Sequence, residues 1–158
     1  MKPRRKRVAI LFVLATGIAL TLLMALSLQN PTNIAQTRLD HPDPQLRTRH
    51  YPHAPGQVSQ VVKETIPRLK TYGRRWRRIQ QNGLLPIRFP GKTGEKTEVA
   101  EVPVLVFTDD LVVTMRGDDN QTTVDVRSAS RVGRSDLGEN RRHILQLLHT
   151  LDEKLNTR

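Results

Sequence analysis

Apolar positions along the chain fall into three regimes: one unbroken run near the start, a central block with period two, and a final stretch with period three to four. Val8 to Leu28 holds 21 residues without a charge. A helix of that length rises about 30 Å, the thickness of a hydrocarbon core, so a single transmembrane helix is predicted over residues 8–28. A cleaved signal peptide shares this layout, and Ala25-Leu26-Ser27 would serve as a small-residue cleavage site. The apolar run exceeds the usual signal-peptide length of about 7 to 15 residues, which favours a retained signal anchor.

Period-two alternation begins beyond residue 46. Arg47 to Tyr51 reads as a first short strand, and Val58, Val61, Val62, Thr65, Ile66 and Leu69 then give a helical pattern that Pro67 kinks or shortens. Trp76 to Gln81 and Leu84 to Phe89 read as strands around an Asn82-Gly83 hairpin turn, followed by a polar loop over residues 90–96. Three β-rich runs follow, Val99 to Phe107, Leu111 to Arg116 and Gln121 to Arg127, with turns expected at Thr108-Asp109-Asp110 and Gly117-Asp118-Asp119-Asn120. In the last run Thr122, Val124 and Val126 share one face, and Thr123, Asp125 and Arg127 the other. Ile144, Leu147, Leu148, Leu151 and Leu155 form the apolar stripe of a long final helix, capped by Ser135 or Asp136 with Glu139 completing a capping box. The expected fold is α+β: an antiparallel meander carrying one N-terminal helix and a long C-terminal helix, in a helix-grip-like arrangement, behind a single transmembrane helix.

Charge gives this layout a direction. Five of the first seven residues are basic, which holds residues 1–7 in the cytoplasm and sends the remainder to the periplasm or an equivalent lumen. Residues 29–45, with Pro31, Pro42 and Pro44, read as a linker, and residues 46–158 as the domain. The chain carries a formal +11, and beyond the first seven residues a formal +6 remains. Much of it lies between Lys63 and Arg88, where Arg74, Arg75, Arg77 and Arg78 flank Trp76. This run is either a solvated basic face or a surface for anionic lipid headgroups, so a membrane is one expected partner. Nucleic acid is not expected, because the domain is placed outside the cytoplasm. A protein partner is not specified. With no cysteine in the chain, disulfides and a lipid-modified N-terminus are excluded.

Several chemical motifs fail on spacing. Gly91-Lys92-Thr93 lacks the earlier glycine of a phosphate-binding loop, since Pro86 stands there. Asp118-Asp119-Asn120 lacks the glycine and glutamate of a calcium loop, because Thr123 and Ala129 occupy those positions. His143 and His149 do not share a helical face as a metal pair would, and neither a metal nor a cofactor is expected. What remains is the segment from Arg127 to Arg142, where Arg127, Ser128, Ser130, Arg131, Arg134, Asp136, Gly138, Asn140 and Arg141 crowd between a strand and a helix start. Helix N-termini attract anions, and arginine forks grip carboxylate or phosphate. In the alternative, Asp109, Asp110, Asp125 or Asp136 already fills those forks and the loop only braces the fold.

These same residues resemble domain-of-unknown-function family 1499, through Arg127-Ser128-Ala129-Ser130-Arg131-Val132-Gly133-Arg134-Ser135-Asp136-Leu137-Gly138-Glu139-Asn140-Arg141-Arg142-His143-Ile144. Tyr51 with Pro55, and Phe107-Thr108-Asp109-Asp110, extend the resemblance over Arg47 to Leu155. It implies a bacterial or plastid setting, often with a membrane segment attached, and supplies no activity or cofactor. The basic run from Arg74 to Arg78 goes beyond the family pattern.

Function is expected to be non-enzymatic binding of an anionic or amphipathic small molecule or lipid headgroup by a membrane-anchored domain. Arg131, Arg134 and Asn140 would recognise the ligand, and Arg74, Arg75, Trp76, Arg77 and Arg78 would meet the bilayer. The alternatives are a small hydrolase or isomerase that uses Asp136 and His143 as an acid-base pair, and a scaffold that docks a membrane complex.

Overall fold

The period-two block folds into three long antiparallel strands. In the computed structural model, which describes residues 3–29, 32–80, 95–133 and 135–156 and, in the first stretch, the side chains at 8, 10–22, 24 and 25, these strands are the longest. They are β6 (Lys96–Val104), β7 (Phe107–Gly117) and β8 (Thr122–Ser130). The shorter strands are β1 (Ile34–Gln36), β2 (Arg49–Tyr51), β3 (Lys70–Thr71), β4 (Arg74–Arg75) and β5 (Arg77–Ile79). The main sheet runs β1-β8-β7-β6-β5, with β2 also paired to β8, while β3 and β4 form a separate small hairpin. Helix α1 spans Pro3–Gln29, α2 spans Pro55–Thr65 and α3 spans Glu139–Leu155. The fold is therefore α+β with an antiparallel sheet.

Side chains alternate strictly across this sheet. Val124 and Val126 of β8, Leu111, Val113 and Met115 of β7, and Ala100 and Val102 of β6 are buried on one face. Both α2 and α3 cover that inner face, α3 toward β8 and β1, and α2 toward β6 and β7. The expected stripe of Ile144, Leu147, Leu148, Leu151 and Leu155 is buried there. Each such side chain contributes about 2 kcal/mol by leaving water. Pro67 ends α2 as expected: the chain tightens into a 3-10 turn over Ile66–Arg68.

Three expectations need correcting. No helix among the described residues is long and apolar enough to cross a membrane. The transmembrane assignment, with the cytoplasm-to-periplasm orientation and single-pass localisation drawn from it, is withdrawn. The segment read as a linker is folded, since Ile34, Ala35 and Gln36 pair with Ala129, Ser128 and Arg127. Pro42 and Pro44 follow that strand and do not break it.

The third correction concerns a turn. Asp109 and Asp110 lie within β7, and the chain reverses instead at Leu105 and Val106, between paired Val104 and Phe107. Turn-forming residue types were outweighed by strand register. The hairpin of Leu84 to Phe89 with Asn82-Gly83, and the loop up to Gly94, lie outside the described residues.

The other turn follows its chemistry. Asp118 Oδ1 accepts the N–H groups of Asn120 and Gln121, and Asp118 N–H donates to the Gln121 carbonyl. That carbonyl oxygen lies 1.9 Å from where a Cβ on Gly117 would sit, and Gly117 has φ +155°. Gly117→Ala should therefore cost about 2 kcal/mol or more, seen as a lower urea midpoint. An unchanged midpoint would show that the turn relaxes freely.

Candidate functional site

Alternation along β8 sorts the residues of the arginine-rich segment onto opposite faces. Ser128 and Ser130 continue the inner series of Thr122, Val124 and Val126, while Arg127 and Arg131 continue the outer series with Asp125. On the outer face Arg131 forks onto Asp110, with Nε–Oδ1 3.0 Å and Nη2–Oδ1 2.6 Å, and also donates to Glu101 at 2.7 Å. Glu101 is gripped from its other side by Arg77. The bonds to Asp110 and Glu101 hold the Arg131 guanidinium more firmly protonated than usual. A second outer cluster joins Arg116 to Glu95 and Asp125, and Asp125 also accepts from Thr37 and Thr48.

The inner residues converge on the first turn of α3. Asn140 is fully buried, accepts from Ser128 Oγ at 2.6 Å, and donates to Ser130 Oγ at 3.0 Å and to the Asn33 carbonyl at 2.8 Å. Asp136 caps the helix: its carboxylate accepts the N–H groups of Gly138 and Asn140 at 3.0 and 2.7 Å. The expected anion seat at this N-terminus is thus filled by the chain's own carboxylate. Gly138, at φ +87°, supplies the left-handed step into the helix. Arg141 turns away to Asp43 and Gln45. Arg134 lies outside the described residues.

His143, one turn further, points into the core. Its Nδ1 lies 3.5 Å from Asp109 Oδ2 and its Nε2 3.7 Å from Glu139 Oε2, and Trp76 meets the ring edge-on with centroids 5.8 Å apart. Asp109 and His143 are 2% and 1% exposed. Asp109 Oδ2 and both His143 ring nitrogens have no hydrogen-bond partner among the described residues. Burial pushes the Asp109 carboxyl up to about 6, against a hydrogen bond from Ser130, and burial with the nearby Arg142 charge drops His143 to about 4. Asp109 and Glu139, not Asp136, are the carboxylates beside His143, so the expected Asp136 and His143 pair does not form.

The family comparison fits this picture. The sequence pattern described as "Protein of unknown function (DUF1499)" matches residues 24–151. The chain belongs to this family. Because the match begins at residue 24, the DUF1499 domain takes in β1, Asn33 and Asp43, all read from sequence as linker. No curated protein matches the chain. Among solved structures, TTHA0849 from Thermus thermophilus is similar at 9% identity, over 78% of this chain and 97% of that one. Its TM-score of 0.33 carries no argument about fold or function. Among the described residues no group of three or more His, Cys, Asp or Glu is placed to hold a metal ion.

The basic run of the DUF1499 domain is dispersed. Trp76 is 2% exposed and donates to Thr71 Oγ1, so it lies in the core and not at the surface where a bilayer would meet it. Arg78 pairs with buried Glu98, and Arg77 with Glu101. Arg74 and Arg75 donate to the carbonyls of Leu105 and Pro67.

Asp109 went unnoticed in sequence because it sits in a Thr-Asp-Asp string that reads as a turn. Counting back by two from Met115, Val113 and Leu111 would have put it on the inner face. The leucine stripe of α3, extended one turn toward its start, lands on His143 and Asn140 in the same way.

Two outcomes follow. Asn140→Ala strands Ser128 and the Asn33 carbonyl and should cost about 2–4 kcal/mol, against about 1 kcal/mol for the more exposed Arg131→Ala; urea midpoints in the reverse order would move the structural weight to the outer face. The second concerns pH. Folded Asp109 keeps its proton up to about 6 while the unfolded carboxyl loses it near 3.8, so this contribution to stability falls as pH rises through that window. The unfolded imidazole is charged below 6.5 while buried His143 stays neutral down to about 4, so its contribution falls as pH drops through nearly the same window. The two slopes oppose in the native chain. Relative to it, Asp109→Asn should gain stability with rising pH, and His143→Gln should lose it, each by about 1 kcal/mol per pH unit. Urea titrations across that range check both, and parallel profiles would show neither group to be shifted.

Proposed function

We propose that this domain is a non-enzymatic binding module for an amphipathic small molecule, seated at the inner-face end of the sheet beside the start of α3. The carrying observation is a ring of rule-breaking residues. Among the described residues the non-glycine positions with positive φ are Tyr72, Leu105 and Leu137, and all three are large, exposed and at this end. Arg74 connects the Leu105 carbonyl to the β3 and β4 hairpin whose tip is Tyr72, the Tyr72 hydroxyl donates to Glu139, and Leu137 precedes Glu139 by two residues. Left-handed backbone at such residues costs about 1–2 kcal/mol each.

Further exposed apolar side chains stand at the β6 and β7 turn and just beyond β8. Phe107 belongs to the inner-face series of β7, two residues before Asp109, and Val132 follows the last residue of β8 by two. They are 53% and 64% exposed, and Val106 at the hairpin tip is 86% exposed. Exposed apolar side chains gathered at one end mark a contact surface, and Phe107 stands two residues along β7 from the buried Asp109. Arg131 and Arg141, expected to recognise an anion, are held by carboxylates of the chain itself, which favours an apolar contact over an arginine clamp. Binding without turnover suits the burial of Asp109 Oδ2 and the two His143 ring nitrogens, which reach no open surface.

Because α1 also exposes apolar side chains, the test must be resolved residue by residue. Octyl glucoside below its micelle concentration, titrated into the isotope-labelled full chain, should shift the amides of Phe107, Val132 and Leu137 along one saturable curve. Phe107→Ser with Val132→Ser should weaken that curve by about tenfold, roughly the worth of the lost apolar contact. Shifts confined to α1 would sink the proposal.

A further inference from the structure

We propose that the β6 and β7 turn is a docking tip for an anionic lipid surface: Leu105 and Val106 enter its apolar edge while Arg74 and Arg75 meet its phosphates. This goes beyond the small-molecule reading and stands or falls separately from it. Two-residue hairpin turns favour glycine, asparagine or aspartate, which take positive φ at little cost and sit well in water. Here Leu105 holds φ +51° and Val106 follows it, 63% and 86% exposed, with Phe107 next at 53%. None of the three joins the core cluster, so the fold gains little from their size. Their apolar area is available to something outside.

Charge decides what that is. Residues 67–80 hold six arginines and lysines and no acid. Arg77 and Arg78 are held by Glu101 and Glu98. Arg68, Lys70, Arg74 and Arg75 are exposed and form no ion pair among the described residues. The hairpin that carries them touches the tip directly, because Arg74 Nη1 donates to the Leu105 carbonyl at 2.9 Å. A carbonyl entering apolar surroundings needs such a donor, and the other N–H groups of the guanidinium are left for phosphate oxygens. Arg75 donates to the Pro67 carbonyl, so a carboxylate does not cancel its charge either. The acids at this end are occupied: Asp110 and Glu101 by Arg131, Glu139 by Arg142 and Tyr72, and Asp136 by the N–H groups it caps, while Asp109 is buried. An apolar tip beside cations without ion-pair partners fits the boundary between acyl chains and anionic headgroups, where each basic residue gains from the surface charge.

The chain has no cysteine, so in the full-length protein Val106→Cys carries an environment-sensitive fluorophore at the tip. Asn120→Cys, also exposed, carries it at the far end of β7, roughly 30 Å away. Vesicles of equimolar phosphatidylcholine and phosphatidylglycerol should shift the Val106 probe to the blue and let a doxyl-labelled lipid quench it, with the Asn120 probe unchanged. Phosphatidylcholine alone should need at least about tenfold more lipid for the same shift, and so should Arg74→Gln with Arg75→Gln on the mixed vesicles. Added salt should weaken the shift of the unsubstituted arginines in the same direction. A chain that sediments with vesicles while its Val106 probe stays in water is held by α1 alone, which overturns the proposal. Equal shifts on the two vesicles, or shifts indifferent to salt and to the double substitution, overturn it too. A tip probe that ignores every vesicle leaves the turn to a protein contact and overturns the lipid assignment. Octyl glucoside shifts at Phe107, Val132 and Leu137, read without vesicles, decide the small-molecule seat independently.

Discussion

One buried side-chain amide, that of Asn140, joins segments that are distant in sequence and adjacent in space. Its donors reach the Asn33 carbonyl, 107 residues earlier, and Ser130; its acceptor takes the Ser128 hydroxyl. A fully buried amide is tolerable only when its hydrogen-bonding groups are met, so these bonds fix the start of α3 over β8 and hold the chain ahead of β1 against the same strand. Asp136 then receives the Asn140 N–H, so the helix start and the sheet are set by one residue from both its side chain and its backbone. Everything placed by the first turn of α3 follows, including His143 beneath Trp76 and Glu139 beneath Tyr72.

That constraint explains why the arginine-rich segment is split in purpose. A strand presents alternate residues to opposite faces, so a string rich in both serine and arginine must divide wherever it is extended. The serines face the core and bind Asn140; the arginines face out and bind carboxylates. Read as a loop, the same string puts all of these groups in one place, which is why an anion seat was expected. The acids that occupy the arginine forks come from β6, β7 and the segment before β2, and no local spacing reveals them.

Much of the architecture was readable because it rests on periodicity. The alternation of β8, the leucine stripe of α3, the Asp118 turn and the break at Pro67 are local patterns, and each appears where its physics requires. What could not be read depends on pairing. The strand at Ile34 has too few residues to show a period and exists because β8 offers an edge. The β6 and β7 turn falls at Leu105 and Val106, against residue preference, because a turn at Asp109 would move Leu111, Val113 and Met115 out of register with Ala100 and Val102. Trp76, set among four arginines, looked like an interfacial residue, yet the apolar area of its ring outweighed the charge of its neighbours. The proposed contact surface was hidden for the same reason: only the strand register brings the start of β7 and the end of β8, with Phe107 and Val132 just beyond their last pair, to one edge of the sheet.

The buried Asp109 and His143 present a problem that their geometry resolves. Each carries a cost of burial, and an apolar pair of similar volume would pack at least as well. A tight ion pair would offset the cost, but at 3.5 Å with no hydrogen bond the contact is loose, and both groups shift toward neutrality instead. Neutral groups demand less of their surroundings, so between about pH 4 and about pH 6 both are buried uncharged, and above that window the ionised Asp109 carboxylate is a standing cost of its burial.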